Sequence, residues 1–407
     1  MLCVFMREEK LREGKRGEEC CGATNAFQAN TSRMSSTDLL SRKAIDCSAI
    51  DHEVIDRNEI SIVNVHSCYF RLNSKKMDRK KFIVSTALAA VGAFFVSKIS
   101  GNDSEKSENE KQNGNEGFGM RGVEGVFSPT NRHMVGNGFK VMNFYPNGKG
   151  FEERMSPFFL LDFNAEVDFP PSEISQGVGV HPHRGIETVT FAYKGSVEHH
   201  DSKGNHGIIG PGDIQWMTAG GGVLHKEYHE QTFNRSGGAF EMIQLWINLP
   251  KKHKFAPAKY QSIVHSDKPK FALANNGGEV HVVSGEYKGV NGIASTFSPI
   301  HMYDVHLNEG GFVDFELPAN YNSGLLLVDG ELEVNGTAVT ENHYLQFKNE
   351  SGAIHISAKK KSIILVLSGE PLNEPFVAYG PFVMNTEQEI REAIEDYNAG
   401  KFGFLKD

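Results

Sequence analysis

At 407 residues the chain is long enough for two or three domains, and its 39% hydrophobic and 23% charged content fits a globular protein. A formal charge of -9, with no basic stripe interleaved with aromatics, excludes direct binding to a phosphate backbone. The 42 glycines against 15 prolines imply many tight turns between short strands, which favours an all-β fold.

All five cysteines, Cys3, Cys20, Cys21, Cys47 and Cys68, precede residue 69, so the rest of the chain can form neither disulfides nor thiolate metal sites. Residues 1–76 carry no helical or strand period and are assigned no fold. Residues 77–100 begin with Met77-Asp78-Arg79-Lys80-Lys81 and continue as an alanine-rich apolar run from Phe82 to Val96. A basic start before so short a run resembles an export signal, with a small-residue cleavage site after Ala93, and is too short for a stable membrane span. Such a signal belongs at a protein's start. Met77 is then the expected initiator, residues 1–76 an upstream mistranslated extension, and the periplasm the destination; a start at Met1 makes the protein cytoplasmic. Residues 101–118 follow as a solvated linker, since Gly101 to Gly117 contain no apolar residue.

From residue 119 short β-rich runs alternate with glycine turns. Phe139–Phe144, Glu187–Phe191 and Ile243–Ile247 belong to a first set spanning 119–249. Gly324–Val328, Glu331–Val334 and Ser362–Leu367 belong to a second spanning 250–407, where Asp329-Gly330 and Asn335-Gly336 predict hairpins. Two comparable sets imply two barrels or sandwiches in series. Thr386 and Glu389 form a capping box ahead of an apolar stripe of Ile390, Ala393, Ile394 and Tyr397, with Gly400 as the stop, so a short helix closes the chain.

The chemistry concentrates in the first set. His181-Pro182-His183 puts two imidazoles on one face of a strand, ~7 Å apart along the backbone, and His225-Lys226-Glu227 repeats that spacing with a carboxylate. Two such pairs on facing strands supply three nitrogens and one oxygen. That set suits iron, manganese, nickel, copper or zinc, with Fe(II) the first choice for a centre that keeps a position open. Glu187 shares the parity of the first pair. His199, His200, His206 and His229 have loop-like or irregular spacing and are read as surface residues or as supports around the ligands. Trp216 and Met217 suit a core or a pocket mouth. Gly220-Gly221-Gly222 lacks the lysine and hydroxyl of a phosphate loop and reads as a turn. The second set has seven histidines from His253 to His355 but no HxH or HxE pair, so it is expected to bind no metal.

The ordered stretches His181-Pro-His-Arg-Gly-Ile-Glu-Thr-Val, Pro211-Gly-Asp-Ile-Gln-Trp-Met-Thr-Ala-Gly, Val223-Leu-His-Lys-Glu and Gln244-Leu-Trp-Ile-Asn-Leu resemble successive motifs of the pirin family. Gly369-Glu-Pro-Leu-Asn-Glu-Pro and Tyr379-Gly-Pro-Phe-Val-Met-Asn-Thr extend the resemblance, which covers Gly119 to Phe404. It implies two cupin-type β-barrels in tandem (a bicupin), with the metal in the first and its ligands on His181, His183, His225 and Glu227. In many other cupins the first-motif glutamate is the ligand; in pirins the later one is, which leaves Glu187 beside the ligands, orienting an imidazole. The resemblance further implies an oxygenase of the quercetin 2,3-dioxygenase type, acting as a monomer on a small phenolic substrate, with Glu227 or Glu187 as general base. The alternative is a non-enzymatic, iron-binding regulatory protein whose surface responds to the redox state of the metal.

Overall fold

The computed structural model describes residues 119–146 and 150–407, together with a two-residue pairing of Asn64–Val65 with Cys68–Tyr69. Apart from that pairing, the expectations for residues 1–76, the signal-like run and the linker lie outside the described residues. Among the described residues no helix is long and apolar enough to cross a membrane.

In chain order the first part comprises β1 (Val123–Phe127), β2 (His133–Val135), β3 (Phe139–Tyr145), α1 (Phe151–Arg154), β4 (Phe158–Phe169), β5 (Gly177–His183), β6 (Ile186–Lys194) and β7 (Val197–Asp201). It continues with β8 (His206–Ile209), β9 (Ile214–Thr218), β10 (Val223–His229), α2 (Gln231–Ser236), β11 (Gly238–Asn248) and β12 (Lys259–Ile263). The second part holds β13 (Lys270–Ala272), β14 (Gly278–Ser284), β15 (Glu286–Tyr287), β16 (Val290–Asn291), β17 (Ile300–Leu307), β18 (Phe312–Phe315) and β19 (Asn322–Asp329). It closes with β20 (Glu331–Val334), β21 (Thr337–Thr340), β22 (Tyr344–Phe347), β23 (Ile354–Ala358), β24 (Ser362–Gly369), β25 (Val377–Tyr379), β26 (Phe382–Met384) and α3 (Glu387–Asn398).

Each barrel is a four-stranded sheet facing a seven-stranded one. The first pairs β8-β7-β10-β5 with β12-β9-β6-β11-β4-β3-β2; the second pairs β18-β23-β20-β21 with β13-β14-β17-β24-β19-β22-β1. The chain is thus all-β with a closing helix, as two tandem cupin barrels require. Asn335-Gly336 makes the expected hairpin between β20 and β21, with both residues at positive φ. Asp329-Gly330 does not. Here the chain passes from the seven-stranded to the four-stranded sheet, and Gly330 at φ 103 turns that corner.

Side-chain alternation sorts the residues. In the second barrel Val280, Val282, Tyr303, Val305, Leu325 and Leu327 point inward and fill the interior with apolar groups. The outward faces of the two long sheets meet in another core, where Val189, Phe191, Ile214 and Trp216 of the first barrel join Val283, Met302, Leu326 and Leu365 of the second. Trp216 is completely buried in this seam, so it is core and not pocket mouth.

Two boundaries differ from those expected at 119–249 and 250–407. Strand β1 pairs with β22 in the second barrel, and Arg121, fully buried, fixes it there by donating to the carbonyls of Lys348 (2.7 Å), Tyr321 (2.9 Å) and Pro318 (3.3 Å). Conversely β12 lies beyond residue 250 yet pairs with β9 of the first barrel. Helix α3 and the tail also return to that barrel: Arg184 pairs with Asp396 at 2.8 Å and lies over the Phe402 ring, and Ser202 donates to the Phe402 carbonyl at 2.6 Å. The capping box at Thr386 and Glu389 forms as expected, with Ile390 and Ala393 buried.

Candidate metal centre

Strands β5 and β10 are antiparallel neighbours in which His225 faces His181 and Val223 faces His183, after which the register shifts between His225 and Glu227. Because alternate residues share a face, this register brings the His181, His183 and His225 rings together, with centroids 4.1–4.9 Å apart. One ring nitrogen from each lies within 4.8 Å of the other two. The Nδ1 atoms of His181 and His183 are satisfied by the Gly179 carbonyl at 2.8 Å and the Pro381 carbonyl at 3.3 Å, which orients each Nε2 toward the common centre. Both nitrogens of His225 are buried without a partner among the described residues. Burying unpaired imidazole nitrogens is costly unless their lone pairs are accepted, so the donors present fit a metal ion.

The protonation states agree. Burial lowers the His181 imidazole to about 4, and burial together with repulsion from the neighbouring rings holds His183 and His225 well below the usual range. All three are neutral near pH 7, which is the form that binds a metal.

Glu227 lies next along β10, buried, and burial pushes its carboxyl up to about 7. Its carboxylate stands outside the 4.8 Å group formed by the three histidines. It sits 3.3 Å from the Thr190 hydroxyl, whose other neighbour is the Gln244 Oε1 at 2.6 Å. A hydroxyl has one proton. It can donate to Gln244 or to Glu227 but not to both at once, and when given to Glu227 it opposes the effect of burial on that carboxyl.

Glu187 is not brought to the cluster. The chain turns at Arg184-Gly185, with Gly185 at φ 81, so strand parity does not carry over from His183. Glu187 shares the β6 face of Val189 and Phe191, directed at the seam, while Thr190 occupies the opposite face. Its Oε1 accepts from the Thr218 hydroxyl at 2.7 Å, and burial raises its carboxyl to about 7.

Sequence reasoning gave no role to Trp246, Gln215 or Tyr260. Trp246 meets the His183 ring edge-on at 4.9 Å, and Met217, read as core or pocket mouth, packs in the same small apolar cluster. His199, opposite Glu227 in the ladder, is 1% exposed and stacks on Tyr260 at 4.5 Å, so it is an interior residue and not a surface one. His229 is likewise buried, its Nε2 held by the Gly138 carbonyl at 2.8 Å among Phe139, Phe169 and Phe240. Gln215 pairs with Thr190 across β9 and β6, and both its amide atoms, the Tyr260 hydroxyl and both nitrogens of His199 are buried without partners among the described residues. The only available signal was alternation: Gln215 and Met217 must oppose Trp216, and once Trp216 is core they face inward. The triglycine forms the expected turn, where a Cβ on Gly220 or Gly222 would collide with the Ala256 carbonyl or the Phe402 ring.

Fold and site together define a tandem cupin whose first barrel encloses a histidine triad and further polar groups beside its apolar cluster, and whose second has an apolar interior. Comparison with known proteins makes this specific. The Pirin family matches residues 138–247, and the Pirin C-terminal cupin domain matches residues 302–403. A Pseudomonas aeruginosa protein, provisionally named a quercetin 2,3-dioxygenase, is 44% identical over 284 residues, 70% of this chain and 99% of its own. Pirin-like protein 2 of Arabidopsis thaliana is 37% identical, over 62% of this chain and 77% of its own. The crystal structure of quercetin 2,3-dioxygenase from Acinetobacter baumannii superposes with a TM-score of 0.68 at 44% identity, covering 70% of this chain and all of that one. The chain belongs to the pirin family.

Proposed function

We propose that this protein is a metal-dependent dioxygenase of the quercetin 2,3-dioxygenase type, with iron held by His181, His183, His225 and Glu227 and a flavonol or related phenol as substrate. The carrying observation is the buried triad of neutral imidazoles, with His225 unpaired, beside a carboxyl poised near pH 7. The names of the relatives from Pseudomonas and Acinetobacter support the same reading. Zinc, nickel, manganese and copper suit the donors as well, and iron is favoured because it can engage dioxygen.

Bound there, iron would supply Lewis-acid polarisation of a phenolic oxygen and a redox route to dioxygen. The chain's own residues do the rest. Glu227 is the candidate base for the proton of the phenolic hydroxyl, and Thr190, whose hydroxyl stands between the Glu227 and Gln244 Oε1 atoms, holds the Glu227 carboxyl in place. Trp246 offers an aromatic wall beside His183. Gln215, Tyr260 and His199 offer unspent hydrogen-bonding atoms for further hydroxyl or carbonyl groups. Glu187, on the other face of β6, is given no contact with substrate.

The test is oxygen uptake and carbon monoxide release by the iron-loaded protein given quercetin, with the His181→Ala variant alongside. Wild type should consume oxygen in proportion to its iron content and the variant should not. No carbon monoxide above an iron-only control, from protein shown to hold ferrous iron, would favour the regulatory reading instead.

A further inference from the structure

The seam between the barrels contains a second group of metal-type donors. His281 on β14 lies directly opposite Asp304 on β17, and His306 follows Asp304 by two residues on the same face. This face is turned away from the apolar interior of the second barrel, toward Tyr193 of β6. One donor atom from each of His281, Asp304 and His306 lies within 4.8 Å of the other two.

The hydrogen bonding is incomplete in one direction only. His281 Nε2 is 2.6 Å from the Glu279 carboxylate, and with the ring proton on that nitrogen Nδ1 is left as a donor for a metal. Nδ1 lies 3.6 Å from Asp304 Oδ2, beyond hydrogen-bond length. His306 Nε2 is 3.1 Å from Asp304 Oδ1, yet neither atom makes a well-directed hydrogen bond. His281 Nδ1, Asp304 Oδ1 and His306 Nε2 are all buried without a well-directed hydrogen bond among the described residues, and the Tyr193 hydroxyl lies against Asp304. Only Asp304 Oδ2 is satisfied, by Lys268 at 2.8 Å, where both side chains are almost fully buried. A carboxylate that accepts a histidine's outer N–H and fixes its inner nitrogen is the support that metal-bound histidines receive, and Glu279 supplies it.

We propose that the barrel seam binds a second divalent metal ion of the borderline class that zinc represents, with His281 Nδ1, His306 Nε2 and the Asp304 carboxylate as its protein ligands. Zinc takes such nitrogens at ~2.0–2.1 Å, so small side-chain rotations close the triangle. Lys268 retains the second carboxylate oxygen and opposes the ion by charge, which makes this the weaker of the two centres. The ion ties β14 to β17 at the point where the first barrel's Tyr193 leans on them, and its role is to stiffen the second barrel's side of the seam.

The test is zinc stoichiometry on the full chain, by elemental analysis after gel filtration, together with cobalt titration followed by visible absorption. Wild type should bind two ions, His183→Ala one, His306→Ala one, and the double variant none. Lys268→Met should bind zinc at the seam about tenfold more tightly or better, because a repelling charge is removed. In the His183→Ala protein zinc should also raise the melting temperature, and His281→Ala should cancel that rise; near-UV circular dichroism establishes that each variant is folded. A wild type saturating at one ion, with His183→Ala binding none, overturns the second site and leaves the first intact. A second ion that survives both His281→Ala and His306→Ala is adventitious, and also overturns it. Loosened binding in Lys268→Met would show that a lysine-centred ion network, and not a metal, is what the cluster serves.

Discussion

Replacing Glu187 by glutamine should stabilise the protein, and by an amount that depends on pH. The carboxyl is 1% exposed, accepts one hydrogen bond from Thr218 and is raised by burial from 4.5 to about 7. Between those values the folded protein keeps a proton that the unfolded chain has released. Stability therefore falls as pH rises through this window, and the loss is complete above pH 7. The difference between those two values corresponds to roughly 3 kcal/mol, nearly all of it present at pH 8 and about 1 kcal/mol at pH 5. Glutamine keeps the acceptor for Thr218 and carries no charge at either pH. Any fixed cost of seating its amide cancels in the comparison, so the gain from Glu187→Gln should be larger at pH 8 than at pH 5 by about 2–2.5 kcal/mol. Urea denaturation of chelator-treated protein at the two pH values measures it. Equal effects at both, or a larger gain at pH 5, would refute the assignment of Glu187 as a buried acid on the seam face.

Metal affinity should climb about tenfold per pH unit from pH 5 to 7 and level off above, since the imidazoles are already neutral and Glu227 at about 7 is the last group to lose its proton. Chelator competition across pH 5.5–8.5 reads this, and Glu227→Gln should flatten the profile; a plateau reached by pH 5.5 would remove Glu227 from the ligand set. Gly185→Ala should cost about 3 kcal/mol or more by thermal denaturation, because the position needs φ 81 and an added Cβ would strike the Val383 backbone carbonyl. A cost under about 1 kcal/mol would mean that the β5–β6 turn can relax away from β26.

The histidine triad was legible in the sequence because strand periodicity is strict: residues two apart share a face, and two such pairs were found. The same rule misplaced Glu187, because periodicity resets at a turn and Gly185 lies between it and His183. Alternation within β9 determines that Gln215 opposes Trp216, but not which of them faces the barrel interior. That depends on the second barrel packing against Trp216, a contact between residues far apart in sequence. His281, Asp304 and His306 are not legible for a related reason: the group is a DxH pair completed from a neighbouring strand, and register between strands cannot be read from either one alone. The β1 exchange left a trace only in hindsight, as a strand-like run ahead of the first barrel with no partner nearby.

That exchange bears on how the molecule is made. Arg121 finds its acceptor at Lys348, 227 residues later, so at about 5–20 residues per second it waits some 10–45 s on the ribosome. Throughout that interval β1 is an emerged strand whose proper neighbour does not yet exist. The first barrel meanwhile lacks α3 and Phe402, which cover Arg184, so it too stays open until those residues are made. The metal chamber likewise depends on a late-made residue, since the Pro381 carbonyl that orients His183 lies 198 positions after it.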